Sequence, residues 1–75
     1  MKLVDCRVHQ KVKVLDIAGE KAIRKRLIDM GITTGTVIFI RKMAPMGDPM
    51  EINLRGYELS LRKEEAEKIE VEPLK

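Results

Sequence analysis

Few residues in this chain have the chemistry for a reactive site. Cys6 and His9 form a C-x2-H pair, a sulfur and an imidazole that could share one borderline divalent ion such as Fe2+ or Zn2+. Two ligands do not complete a tetrahedral shell, so the pair needs Asp5 or a second chain. Met30, Met43, Met46 and Met50 carry thioethers of the kind that select Cu(I), but only the last three lie close together, among alanine and proline. Methionine's flexible side chain fills irregular cores or offers an adaptable apolar contact surface, and contact is the role with functional promise here. His9 is the sole histidine and has no nucleophile set beside it. Glu64, Glu65, Glu67, Glu70 and Glu72 read as a solvated face. With neither a GxxxxGK[ST] nor a GxGxxG loop, the expectation is no enzyme and no nucleotide bound by the chain alone.

Size sets the same limit. A chain of 75 residues, with one Phe, one Tyr and no Trp, can bury only about 60% of its unfolded surface, so it builds one thin core and no deep cleft. Apolar residues make up 44% and charged residues 36%, with the two signs nearly balanced, which excludes a disordered chain. A lone cysteine forms no internal disulfide. The N-terminal stretch is broken by Asp5, Arg7, His9 and Lys11, which does not suit a signal peptide, and the longest apolar run, Val37 to Ile40, is far short of the roughly 20 residues of a membrane span. A single cytoplasmic domain over residues 1–75 is expected.

Charge is uneven. Residues 1–42 hold ten Lys/Arg against four Asp/Glu, and residues 43–75 hold five against eight. Lys21, Arg24, Lys25 and Arg26 could steer an acidic partner or grip phosphates without sequence preference. Stacking of single-stranded bases needs exposed aromatics. Only Phe39 and Tyr57 are available, and Phe39 lies in the most apolar strand, where burial is expected. Nucleic acid is therefore the weaker alternative.

The elements that must position these residues are legible in order. Lysines alternate with valines from Lys11 to Val14, continuing through Leu15 and Ile17, as in a half-buried strand. Ile23, Leu27 and Met30 then fall on one helical stripe; Glu20 is expected in the first turn, and Gly31 stands where a left-handed residue ends a helix. TVIFIRKM reads as a strand with one face on the core and the other on the helix. APMGDP must be a loop, since two prolines and a glycine cannot extend a ladder. Met50, Ile52 and Leu54 alternate with polar residues, as do Tyr57, Leu59 and Leu61, and Arg55-Gly56 between them predicts a tight hairpin. RKEEAEK gives a helical turn, and Ile69 and Val71 a last strand. The fold expected is mainly β: a small SH3-like barrel of about five strands, with an α-helix inserted after the first strand and a short helical turn before the last, closed on itself to remove exposed edges.

The tract from Val12 to Val71 resembles the FeoA family, the small cytosolic component of bacterial ferrous iron uptake. Ala44-Pro45-Met46-Gly47-Asp48-Pro49-Met50 carries most of the likeness, followed by Arg55-Gly56, Leu61-Arg62, Glu65-Ala66 and Ile69, with Leu27, Met30-Gly31-Ile32 and Gly35 in support. The resemblance implies an SH3-like barrel, a relation to the C-terminal domains of DtxR-type iron-dependent repressors, and transition-metal-ion binding as an inherited family description. It also implies a partner, the FeoB membrane transporter with its cytosolic GTPase region. The contact set expected on this basis is Met43, Pro45, Met46, Gly47, Asp48, Pro49 and Met50, guided by Arg24 and Arg26, with Asp48 bonded inside its own turn and Gly47 and Pro49 shaping the loop. The competing expectation is a metal carrier or sensor built on Cys6 and His9.

Overall fold

A computed structural model describes residues 1–74. A 3-10 turn, Leu3–Asp5, precedes β1 (Lys11–Ile17), α1 (Lys21–Asp29), β2 (Val37–Met43), β3 (Met50–Leu54), β4 (Tyr57–Leu61), α2 (Lys63–Ala66) and β5 (Ile69–Pro73). The element order expected from sequence is the order found. All strand pairs are antiparallel, in the spatial order β4-β3-β2-β1-β5. Among the described residues β4 and β5 are not paired with each other, so strand pairing does not close the barrel as expected. Instead α2 joins the two edge strands, and the N-terminal 3-10 turn packs on both α2 and β5. No helix among the described residues is long and apolar enough to cross a membrane.

Alternation builds the core. Val12, Val14, Ile38, Ile40, Met50, Ile52, Leu54, Leu61, Ile69 and Val71 are all buried, and Leu3, Cys6, Ile17, Leu27, Ile32 and Ala66 complete the cluster. Two bulges shift the phase of that alternation. The β1–β5 register slips between Val14 and Asp16, so Leu15 is the extra residue and Ile17, which strict alternation from Val14 would turn outward, is buried. The β2–β3 register slips between Ile40 and Lys42, so Arg41 is the extra residue and Met43 comes back toward the core opposite Met50. An extra residue in one strand re-aims every side chain after it.

The helix α1 ends as its sequence predicts. Gly31 has φ of +95°, its N–H donates to the Ile28 carbonyl at 2.9 Å, and the Ile32 N–H donates to Leu27 at 3.0 Å. That is a Schellman motif, with Leu27 and Ile32 both buried as its apolar contact. The Tyr57 hydroxyl donates to the Met30 carbonyl at 2.5 Å, tying the same terminus to β4. A Cβ on Gly31 would lie 2.5 Å from that hydroxyl, so glycine is required for space as well as for φ. Tyr57 is consequently exposed at the strand's start, and only Leu61 of the Tyr57, Leu59, Leu61 set is fully buried. Glu20 is the N-cap, not a first-turn residue, and its side chain makes no capping bond.

The expectation that α1 covers the second face of β2 fails. Val37, Phe39 and Arg41 line an open hollow with Lys11 and Asn53, and no residue of α1 borders it. Phe39 is half-buried rather than internal. The 55–56 hairpin is as expected, with positive φ at both Arg55 (+50°) and Gly56 (+85°), the type I′ signature.

Candidate functional site

The loop after β2 folds on itself. The Gly47 N–H donates to the Ala44 carbonyl at 2.7 Å, and the Ala44 N–H donates to Pro49 at 3.1 Å. Gly47 sits at φ of +76°, in open space, so its requirement is backbone conformation alone. Met46 at the tip is 85% exposed, whereas Met50 is fully buried and Met43 packs against the core. Met50 therefore belongs to the core and leaves the expected contact set, because the inward alternation of β3 begins with it. Pro45, Asp48 and Pro49 are exposed.

Asp48 does not bond inside its own turn. Its Oδ1 accepts the N–H of Lys63 at 3.1 Å, the first residue of α2, whose amide has no partner within the helix. The loop is thereby fastened to α2. On the same helix Glu65 is buried, contrary to the solvated face expected of the glutamates. Its Oε1 accepts the Arg62 N–H at 2.9 Å, the return half of a capping box. Arginine has no acceptor to make the other half, so the Glu65 N–H turns to the Arg62 carbonyl at 3.0 Å. No capping-box signature marks this pair in the sequence, because the N-cap is arginine rather than serine or threonine, and the glutamates read as one charged run.

Arg26 reaches across from α1. Its Nε lies 3.3 Å from Glu65 Oε2, an ion pair in which the buried oxygen is charge-paired but receives no aligned hydrogen bond. Met46's loop, through Asp48, and Arg26 thus flank the four-residue helix α2. A hollow of about 300 Å³ lies on the Arg26 side, with Ile23 and Lys68 in its wall, and one of about 380 Å³ lies on the Asp48 side; both are bordered by Glu64 and Glu67. Arg24 is not part of this face. Two positions along a helix point apart, and Arg24 borders a separate hollow with Asp16, Ile28 and Thr33.

Cys6 and His9 do not form a metal centre. Cys6 is buried, its Sγ directed to the Lys2 carbonyl at 3.7 Å, and burial, reinforced by the Asp5 charge, pushes its thiol pKa up and keeps the sulfur protonated. His9 is exposed, with its ring stacked on Phe39 at a centroid distance of 6.0 Å. Asp5 and His9 border one hollow that Cys6 does not reach. Among the described residues no three of His, Cys, Asp and Glu converge on a point. The side chains present do not fit the ion that the resemblance implies.

The FeoA domain model matches residues 1–73. The chain belongs to the FeoA family. It is 35% identical over 72 residues to the Fe(2+) transport protein A/Fe(2+) transporter FeoB fusion protein of Porphyromonas gingivalis, a match covering 96% of this chain and 8% of that protein. The chain thus spans less than a tenth of that relative's length. Among solved structures it is similar to the FeoA-like protein of Clostridium acetobutylicum, with 50% identity, TM-score 0.91, and coverage of 99% of this chain and 86% of the other. Two more distant likenesses show the fold alone. One is the FeoA of Stenotrophomonas maltophilia, described as an SH3 domain protein complexed with zinc, at 24% identity and TM-score 0.82, covering 96% of this chain and 89% of that one. The other is a manganese-dependent transcriptional repressor at 17% identity and TM-score 0.92, covering 99% of this chain and 36% of that one. The fold is SH3-like and mainly β, and it recurs as part of a metal-dependent repressor, as the sequence resemblance implied.

Proposed function

We propose that this chain is a small cytoplasmic accessory protein of ferrous iron uptake, which docks on the cytosolic GTPase region of a FeoB-type membrane transporter and modulates its assembly or nucleotide cycle. The observation that carries this reading is the Porphyromonas gingivalis fusion protein of Fe(2+) transport protein A and Fe(2+) transporter FeoB, which is similar to this chain over 96% of the chain's length. Covalent fusion supports a functional need for proximity, and a docking surface on this domain serves the same need.

The face around α2 is the surface best suited to that role. Met46 is its exposed apolar anchor, with Pro45 and Pro49 stiffening the turn around it, and Arg26, Lys63, Glu64 and Glu67 form a charged rim of both signs. An adaptable apolar tip inside a polar rim is the anatomy of a small transient interface. Co-purification of the chain with the cognate transporter's cytosolic region tests the proposal. Met46→Glu is expected to weaken capture about tenfold, roughly 1.4 kcal/mol, with thermal melting unchanged because Met46 has no packing to lose. Equal capture by the variant removes the loop from the interface, and no capture of the unaltered chain removes the partner.

A further inference from the structure

The outer face of the sheet holds a second surface that the FeoB reading does not use. In register across three strands, Lys11 of β1, Phe39 of β2 and Asn53 of β3 stand side by side on this face. Directly opposed residues on neighbouring strands have Cβ atoms about 5 Å apart. His9 stacks on Phe39 with the rings 18° from parallel, giving a two-ring aromatic platform where sequence alone suggested a buried phenylalanine. His9 is held there at some backbone cost. Its φ of +72° is left-handed, and its N–H donates to the Ile40 carbonyl at 2.6 Å while the Ile40 N–H donates to Gln10 at 3.0 Å.

On the Phe39 side of this platform the charge has one sign, while its His9 side borders Asp5 in the hollow of the N-terminal turn. The hollow beside Phe39, about 540 Å³, is bordered by Lys11, Arg41 and Arg55 and by no carboxylate, whereas the hollows beside α1, α2 and the N-terminal turn each carry at least one. The next residue in the row, Glu58 on the edge strand, has its carboxylate 3.4 Å from Arg41. That pair is half-exposed on both sides and so binds Arg41 weakly, leaving its charge available to a competing anion.

We propose that this face binds single-stranded nucleic acid. A base stacks on the Phe39–His9 pair, the Asn53 amide meets the base edge, and Lys11, Arg41 and Arg55 take the flanking phosphates. An acidic peptide would satisfy the cations but has no use for two stacked rings beside an amide, which is why the nucleic acid is the occupant favoured. Stacking on a protein ring contributes about 1–3 kcal/mol per base and tolerates any sequence, so weak, non-specific, salt-sensitive binding is the form expected.

Fluorescence anisotropy of a short labelled oligo-dT, titrated with the full chain at low salt, tests the proposal. Binding is expected to weaken about tenfold in Phe39→Leu, which keeps apolar volume and removes the ring. Lys11→Gln is expected to weaken it less and to lower the dependence on log salt by about one. Thermal melting of both variants checks that the fold is intact, and His9→Ala provides a second removal of the platform should Phe39→Leu melt early. No binding by the unaltered chain overturns the proposal. Retention that is indifferent to both Phe39→Leu and His9→Ala also overturns it, as does equal competition by poly-glutamate, which would assign the face to acidic protein.

Discussion

The face around α2 and the face around Phe39 are both exposed, but they are held in different ways. At α2 the side chains that border the surface also hold up the fold. Asp48 and Glu65 each accept a backbone N–H at the start of α2, and Arg26 closes over the Glu65 carboxylate. At Phe39 the side chains project from a sheet whose ladder and core form without them, since Ile38 and Ile40 supply the buried face of β2. A surface of the first kind cannot lose Asp48 or Glu65 without a cost in stability. One of the second kind is free to change with its ligand, and mutational data read on these two faces must be interpreted accordingly.

The largest effect that sharpens this contrast is expected at Glu65. Glu65→Ala removes the acceptor for the Arg62 N–H from a buried position and should cost about 2 kcal/mol. The lost Arg26 pair adds little, because Arg26 is itself 69% exposed and solvent screens it. In a chain this short, such a loss lowers the melting temperature by about 10 °C, which thermal denaturation by circular dichroism will read. Glu65→Gln keeps the Oε1 acceptor and should lose much less. Equal losses in the two variants would mean that charge, not capping, holds α2 and would break the comparison. Asp48→Ala follows at about 1 kcal/mol, since it leaves the Lys63 N–H to water at an exposed site. The same variant releases the Met46 loop from α2, so capture by the transporter should fall along with stability, whereas Met46→Glu moves capture alone.

How much of this was readable beforehand depends on what kind of signal each feature leaves. Strand alternation from Met50 to Leu54, the 55–56 hairpin and the Gly31 stop are local in sequence, and each appears in the structure where it was expected. The bulges at Leu15 and Arg41 leave no such mark, because an extra residue is defined only by the strand opposite it. That is why Met43 reads as part of an exposed cluster and packs inward. Met50 presented two signals, a core position in β3 and a place in the Met-rich loop, and burial decided for the first. The link from Asp48 to Lys63 spans fifteen residues and depends on how β3 and β4 return the chain, which no local pattern encodes. His9 misled in the same way. Its spacing from Cys6 suggested a shared ligand, while a left-handed backbone turned the ring onto Phe39 and left the thiol inside.

The smallest effect concerns what fastens the Phe39 face to the rest of the molecule. His9 follows an N-terminal segment pinned to β5 by Glu70, whose carboxylate pairs with the terminal ammonium and with Lys2 Nζ at 3.1 Å, alongside the Val71 N–H donating to the Met1 carbonyl at 2.8 Å. Hydrogen bonds from the terminal ammonium first, and then from Lys2, hold the Glu70 pKa below the usual carboxylate range. The folded state therefore releases this proton more readily than the unfolded chain. The pair's contribution is complete above the unfolded carboxylate value of about 4.3, and it is lost as pH falls through the lower folded value. Amide exchange at Val71 should accordingly gain an acid-dependent opening that Glu70→Gln shows already at neutral pH, while the amides of Lys63 and Arg62 at α2 stay unaffected by the substitution. Loss of protection at α2 in Glu70→Gln would show that the two faces open as one unit, and the distinction between a face that supports the fold and one that rests on it would not survive.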